Sequence, residues 1–70
     1  SLWMEEMNLE ETFKKLQETV ESLETDSISL EDSFTKYEEG MRLLKSCHDK
    51  IDMVEKKVLS LNEAGDLDEF

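Results

Sequence analysis

Seventy residues with 19 acidic and eight basic side chains, a net charge of -11, two glycines and no proline make at most one small domain, below the size at which a lone core is comfortably stable. The charge balance argues against direct nucleic-acid binding, which draws its affinity mainly from Lys and Arg displacing counterions on phosphates. A single cysteine excludes an internal disulfide framework and any multi-cysteine zinc site and fits a reducing compartment. No apolar run approaches the roughly 20 residues of a membrane span, and the opening SLWMEEMN lacks the basic and apolar regions of a secretory signal. The expectation is a helical, cytoplasmic chain, not bound to membranes, that borrows surface from a partner.

Residues 1–8 read as an N-terminal extension. Its Trp3 and Met4 precede the first helix cap and are open to two readings: packing back on the helices, or belonging to a variable start. Apolar residues at Leu9, Phe13, Leu16, Val20 and Leu23 then recur at intervals of four, three, four and three, one stripe of an α-helix. Asn8 and Glu11 form a capping-box signature ahead of it, so the first helix is expected over about 9–24. The polar run TDSIS interrupts the pattern with residues that bond their own backbone and favour a turn, and Ser29 with Asp32 repeats the cap signature.

A second helix is expected over about 30–61, on Leu30, Phe34, Tyr37, Met41, Leu44, Cys47, Ile51, Val54, Val58 and Leu61. The spacing alternates four and three except at Met41, Leu44 and Cys47, where two consecutive threes resemble a stammer in a coiled-coil register. At about 1.5 Å per residue this helix spans roughly 48 Å, about twice the first. The predicted fold is therefore all-α: an antiparallel helical hairpin over 9–61, completed by oligomerisation into a helical bundle or coiled coil. The half of the stripe from Cys47 to Leu61 is expected to need another chain. Five acid-to-base pairs at i, i+4 (Glu10 with Lys14, Glu11 with Lys15, Asp32 with Lys36, Glu38 with Arg42, Asp52 with Lys56) have the favourable polarity for a helix, each worth only a few tenths of a kcal/mol.

Charge is uneven. Residues 1–39 hold 12 acids and three bases, net -9, whereas 40–61 hold three acids and five bases, net +2. Residues 62–70 hold four acids and no base and read as an acidic, disordered tail, with Gly65 ending any helical continuation.

Little here reads as catalysis. Nearly all the acids lie off the apolar stripe, as a solvated face does, rather than converging on an open metal position. Cys47 and His48 do not form a thiolate and base, because adjacent helical residues point about 100° apart. Cys47 reads as a small core residue, and His48, the chain's one histidine, sits at the edge of the stripe without a second ligand. Gly40, mid-helix, costs about 0.8 to 1.0 kcal/mol relative to alanine; a close helix approach would compensate. Phe34 and Tyr37 read as core and interface anchors, with the tyrosine hydroxyl reaching a partner at the edge, and the four methionines as adaptable packing surface.

The stretches LETDSISLEDSF, KYEEGMRLLKSC and VEKKV, in this order, together resemble the small subunit of exodeoxyribonuclease VII. The amphipathic run FKKLQETVESLE falls where that family's first helix lies. The resemblance covers roughly Leu9 to Leu61 and is most specific at Ser29, Leu30, Glu31 and Ser33, then Tyr37, Glu38 and Gly40, then Leu44 and Cys47. Departures are mild: Asp26 stands where the family commonly has glycine, Phe34 where leucine is usual, and Val54 where alanine is frequent. The resemblance implies a non-catalytic accessory subunit of a bacterial hydrolase that degrades single-stranded DNA from both ends into oligonucleotides, with the DNA-binding and hydrolytic parts in a large subunit.

The expected partners are that large subunit and other copies of this chain, with no cofactor, metal or catalytic residue here. Phe13, Leu16, Val20, Leu23, Leu30, Phe34, Tyr37, Gly40, Met41 and Leu44 are expected inside the hairpin, the stripe continuing through Cys47, Ile51, Val54 and Val58 onto other subunits; the whole set is the expected partner interface. A self-associating helical adaptor or small chaperone unrelated to nucleases fits composition and periodicity equally well; only the ordered motifs separate the two.

Overall fold

The computed structural model describes residues 2–63, which form three helices in chain order: α1 (Leu2–Glu6), α2 (Leu9–Leu23) and α3 (Leu30–Glu63). Both expected caps are present. The Glu11 amide donates to Asn8 Oδ1 at 2.8 Å, and the Asn8 amide donates back to Glu11 Oε1 at 3.3 Å, closing the capping box that starts α2. Ser29 Oγ accepts from the Asp32 amide at 3.0 Å and starts α3 in the same way. Between the helices the Glu24 amide bonds the Glu21 carbonyl, and the Ile28 amide bonds the Thr25 carbonyl, so the polar run forms the turn its residue types favour.

α2 and α3 pack as an antiparallel hairpin. Thr12 lies level with Lys50 and Thr19 level with Gly40, so one helix runs up as the other runs down. The molecule measures 54 × 22 × 14 Å; a helix with its side chains is about 10–12 Å across, so the hairpin is a slab without a second layer over its broad faces.

The extension is a structural element. Residues of α1 fold back beside α3: Met4 is buried, and its carbonyl accepts from Lys50 Nζ at 2.7 Å and from Ser46 Oγ at 3.4 Å. Trp3 is half exposed beside it. Lys50 Nζ also donates to Thr12 Oγ1 and Ser46 Oγ, so one ammonium ties α1, α2 and α3 together, its donors satisfied as a part-buried charge requires.

Three expectations need correction. α3 has 34 residues and α2 15, but with Thr12 level with Lys50 it is residues 54–63, roughly 15 Å of helix, that project beyond Leu9, a shorter stretch than the expected Cys47 to Leu61. Asn62 and Glu63 continue α3 rather than opening the tail; the rest of the expected tail, with Gly65, lies outside the described residues. None of the five i, i+4 pairs closes. The ion pairs among the described residues are instead Lys15 with Glu18, Lys36 with Glu39 and Lys45 with Asp49, a redistribution that costs little because exposed pairs are individually weak.

Candidate partner interface

The hairpin's inner seam is built mostly from small residues, with three lysines and one leucine among them. On α2 it runs through Thr12, Lys15, Thr19 and Ser22, and on α3 through Ser33, Lys36, Gly40, Leu43, Cys47 and Lys50, all buried or half-buried. These positions alternate three and four without a break, a regular packing stripe. Thr12 and Thr19 reach 0% and 3% exposure because each hydroxyl donates back to its own helix, Thr12 Oγ1 to the Asn8 carbonyl and Thr19 Oγ1 to the Lys15 carbonyl. The hydroxyl is thereby satisfied. Thr19 turns its Cγ2 methyl toward Gly40. Leu43, at 0% exposure, is the largest fully enclosed side chain, and Met4, Leu43 and Cys47 are the buried hydrophobic residues of the described chain.

The large apolar side chains lie elsewhere. Phe13, Leu30, Phe34, Tyr37, Met41, Leu44 and Val20 are exposed, Leu30 to 88% and Phe34 to 65%, whereas Leu16 and Leu23 are half-buried at the margin. Their expected placement inside the hairpin is therefore corrected: the seam takes residues of small cross-section and lets the helices approach, while the bulky residues stand one position further round. On α2, residues 13, 16, 20 and 23 each follow a seam residue, and on α3 residues 34, 37, 41, 44 and 51 do the same. Because the helices are antiparallel, the same step of about 100° carries both sets to the same side of the slab. Leu9 and Phe13 of α2 accordingly flank one surface recess with Ile51 of α3, and the two sets form one broad apolar face.

The apparent stammer dissolves with this separation. Met41 and Leu44 belong to the face and Cys47 to the seam, so the consecutive threes mark a step from one stripe to the other; the face runs on through His48, which is exposed. Cys47, at 5% exposure, is closed by the chain itself and is not part of the open stretch, which begins after Lys50. Gly40 likewise faces α2 from within the seam. Tyr37 is 57% exposed, and no hydrogen bond of its hydroxyl to a hairpin edge is among those of the described residues. Leu43 was missed by sequence reasoning altogether, as were the two threonines, because a stripe of Thr, Ser, Lys, Gly and Cys does not register as apolar. Its unbroken three-four spacing was the available signal.

Beyond Lys50 both stripes continue toward and past the start of α2. Val54 and Leu61 extend the seam, Ile51 and Val58 extend the face, and Met53 and Leu59 add apolar surface on further sides; five of these six are exposed and Val58 is half-buried. Val54, Val58 and Leu59 border a shallow recess. Among the described residues no group of three or more His, Cys, Asp or Glu is placed to hold a metal ion, and no helix is long and apolar enough to cross a membrane.

A slender hairpin that buries little of its own apolar surface and presents the rest as a continuous exposed face belongs to the class of small helical proteins with surface suited to assembly. Residues 10–60 match the family model of the exonuclease VII small subunit. The chain is 46% identical over 66 residues to the exodeoxyribonuclease 7 small subunit of Geobacillus thermodenitrificans, covering 93% of this chain and 87% of that protein. It is 40% identical over 63 residues to that of Alkaliphilus oremlandii, covering 90% and 82%. It belongs to the exonuclease VII small subunit family. No solved structure matches it.

Proposed function

We propose that this chain assembles, with further copies of itself, onto the large subunit of a cytoplasmic exodeoxyribonuclease VII that degrades single-stranded DNA from both ends into oligonucleotides, and that it acts there by stabilising and positioning an extended helical part of that subunit. The observation that carries this reading is the apolar face, whose Phe13, Leu30, Phe34 and Tyr37 are each more than half exposed although burial of one such side chain is worth about 1.5–3 kcal/mol. Membership of the family supplies the partner's identity. The interface comprises Phe13, Leu16, Val20, Leu23, Leu30, Phe34, Tyr37, Met41 and Leu44 over the hairpin and Ile51, Val54 and Val58 on the stalk. Gly40 and Cys47 lie behind this face, in the seam between the two helices.

The test is co-expression of tagged chain and large subunit, with Ile51→Asp and Val58→Asp beside the unaltered sequence. Both positions lie beyond or at the end of the α2 contact, so the isolated variants keep their helicity while the carboxylate blocks burial. The expected result is loss of the large subunit from the purified material and loss of degradation of single-stranded but not duplex DNA. Co-purification at the normal level would show that the stalk is not an interface.

A further inference from the structure

The hairpin is one layer with its bulky apolar residues on one broad side. From Leu30 to Ile51 that side is roughly 33 Å long, and the molecule is 22 Å wide. Covering it on two chains takes in about 1,400 Å², inside the range of about 1,200–2,000 Å² for stable specific interfaces. A second copy closes on it about a twofold axis in one of two ways, parallel or antiparallel. The border charges decide between them. Each residue that follows a face residue lies a further 100° or so round its helix. On α2 these are Glu10, Lys14, Gln17, Glu21 and Glu24, and on α3 they are Glu31, Thr35, Glu38, Arg42, Lys45, Asp49 and Asp52, all exposed.

In a parallel pair the α2 border of one copy meets the α3 border of the other at the same level. With Thr12 level with Lys50 and Thr19 level with Gly40, Glu21 then meets Glu38, Lys14 meets Lys45 and Glu10 meets Asp52. Like charges oppose from the turn to the open end, which costs affinity. In an antiparallel pair with its axis at the level of Thr19 and Gly40, each border meets its own copy reversed. Glu38 then meets Arg42, Glu24 meets Lys14, Gln17 meets Glu21 and Thr35 meets Lys45, each pairing occurring twice. Glu31 against Asp49 is the one like-charge pairing, and Glu10 and Asp52 fall beyond the other copy's turn. The same axis sets one copy's Tyr37 and Met41 at the levels of residues 43 and 39 of the other, so the bulky side chains interleave rather than collide. Resting on the reading of this face as a site of assembly, we propose that it pairs with a second copy of this chain, antiparallel, as a four-helix unit. Its two stalks project from opposite ends and are left to the large subunit.

The experiment uses the full chain. Sedimentation equilibrium gives the mass of the unaltered protein, and Met41→Cys and Leu30→Cys are each oxidised in a Cys47→Ala background. About the proposed axis the two copies of residue 41 are roughly 3 Å apart along the helices and those of residue 30 roughly 30 Å. A disulfide needs Cα atoms within about 7 Å, so Met41→Cys is expected to link two chains and Leu30→Cys not. Glu38→Arg is expected to weaken dimerisation roughly tenfold at low salt, because it turns two exposed attractive pairs into repulsive ones, and Arg42→Glu added to it restores the dimer. Circular dichroism establishes that each variant is folded. A monomeric unaltered chain, Leu30→Cys linking as readily as Met41→Cys, or a double variant no better than Glu38→Arg overturns the antiparallel pairing. Binding of the unaltered chain to the large subunit, measured separately by co-purification, keeps the two readings apart: its loss refutes the assembly reading itself.

Discussion

The two stripes of the hairpin invert the usual relation between size and burial. Between α2 and α3 lie Thr12, Thr19, Gly40, Leu43 and Cys47, while Phe13, Phe34, Tyr37 and Met41 point outward. A hairpin optimised to stand alone would enclose its largest side chains, because each buries the most apolar area and contributes the most to stability. Here small residues bring the helices close, and the aromatic residues remain on the exposed face that the proposed assembly would cover. The seam makes the hairpin; the face, on the proposed reading, makes the assembly.

That division is broken most directly at Leu43. Leu43→Ala removes the one large side chain that the hairpin encloses completely and is expected to cost about 2–4 kcal/mol, much of the stability of a domain this small. The isolated chain should lose a cooperative thermal transition by circular dichroism, whereas Phe34→Ala, a change of a larger but exposed residue, should shift it little. Equal losses from the two would mean that the face is buried in the free chain and that the division does not hold.

A second effect, of about 1–2 kcal/mol, is expected at Lys50. Its ammonium donates to the Met4 carbonyl, Thr12 Oγ1 and Ser46 Oγ, and Lys50→Met leaves the first two in the seam without this donor. The change should release α1 before it unfolds the hairpin. Trp3, the chain's one tryptophan, sits on α1 and reports the release as a red-shifted fluorescence maximum with helicity nearly unchanged.

Sequence reasoning reached the parts of this molecule governed by local rules. Asn8 with Glu11 and Ser29 with Asp32 were legible as caps because each acts within four residues of itself, and Asn8→Ala should cost about 1 kcal/mol, read as a lower midpoint of thermal unfolding. The face residues were legible as an apolar stripe. Which side of the stripe faced the chain's own second helix was not. A periodic set of large apolar residues satisfies a hairpin interior and an intermolecular face equally well, and the residue that decides between them, Leu43, lies among threonines and a glycine whose burial depends on hydroxyls bonding back to their own helices. The docking of α1 was likewise invisible, since it hangs on a lysine reaching a backbone carbonyl 46 positions away in the chain.

Gly40 sharpens the comparison at its finest scale. A Cβ at this position would meet Thr19 Cγ2 at 3.7 Å, ordinary van der Waals contact, so the α2 contact does not by itself demand a glycine. Replacing it by alanine removes backbone freedom from the unfolded chain and a poor helix former from the middle of α3, and should stabilise the isolated hairpin by up to about 1 kcal/mol, seen as a higher midpoint of thermal unfolding. The seam then tolerates the extra methyl, and the glycine is not explained by the packing of this chain alone. Destabilisation instead would mean that the helices have no slack at Thr19 and that the seam is already packed to its limit. Measured with the large subunit present, the same variant separates the two stripes once more: unchanged binding confines Gly40 to the seam, whereas weaker binding by a more stable hairpin places a partner helix against the backbone there.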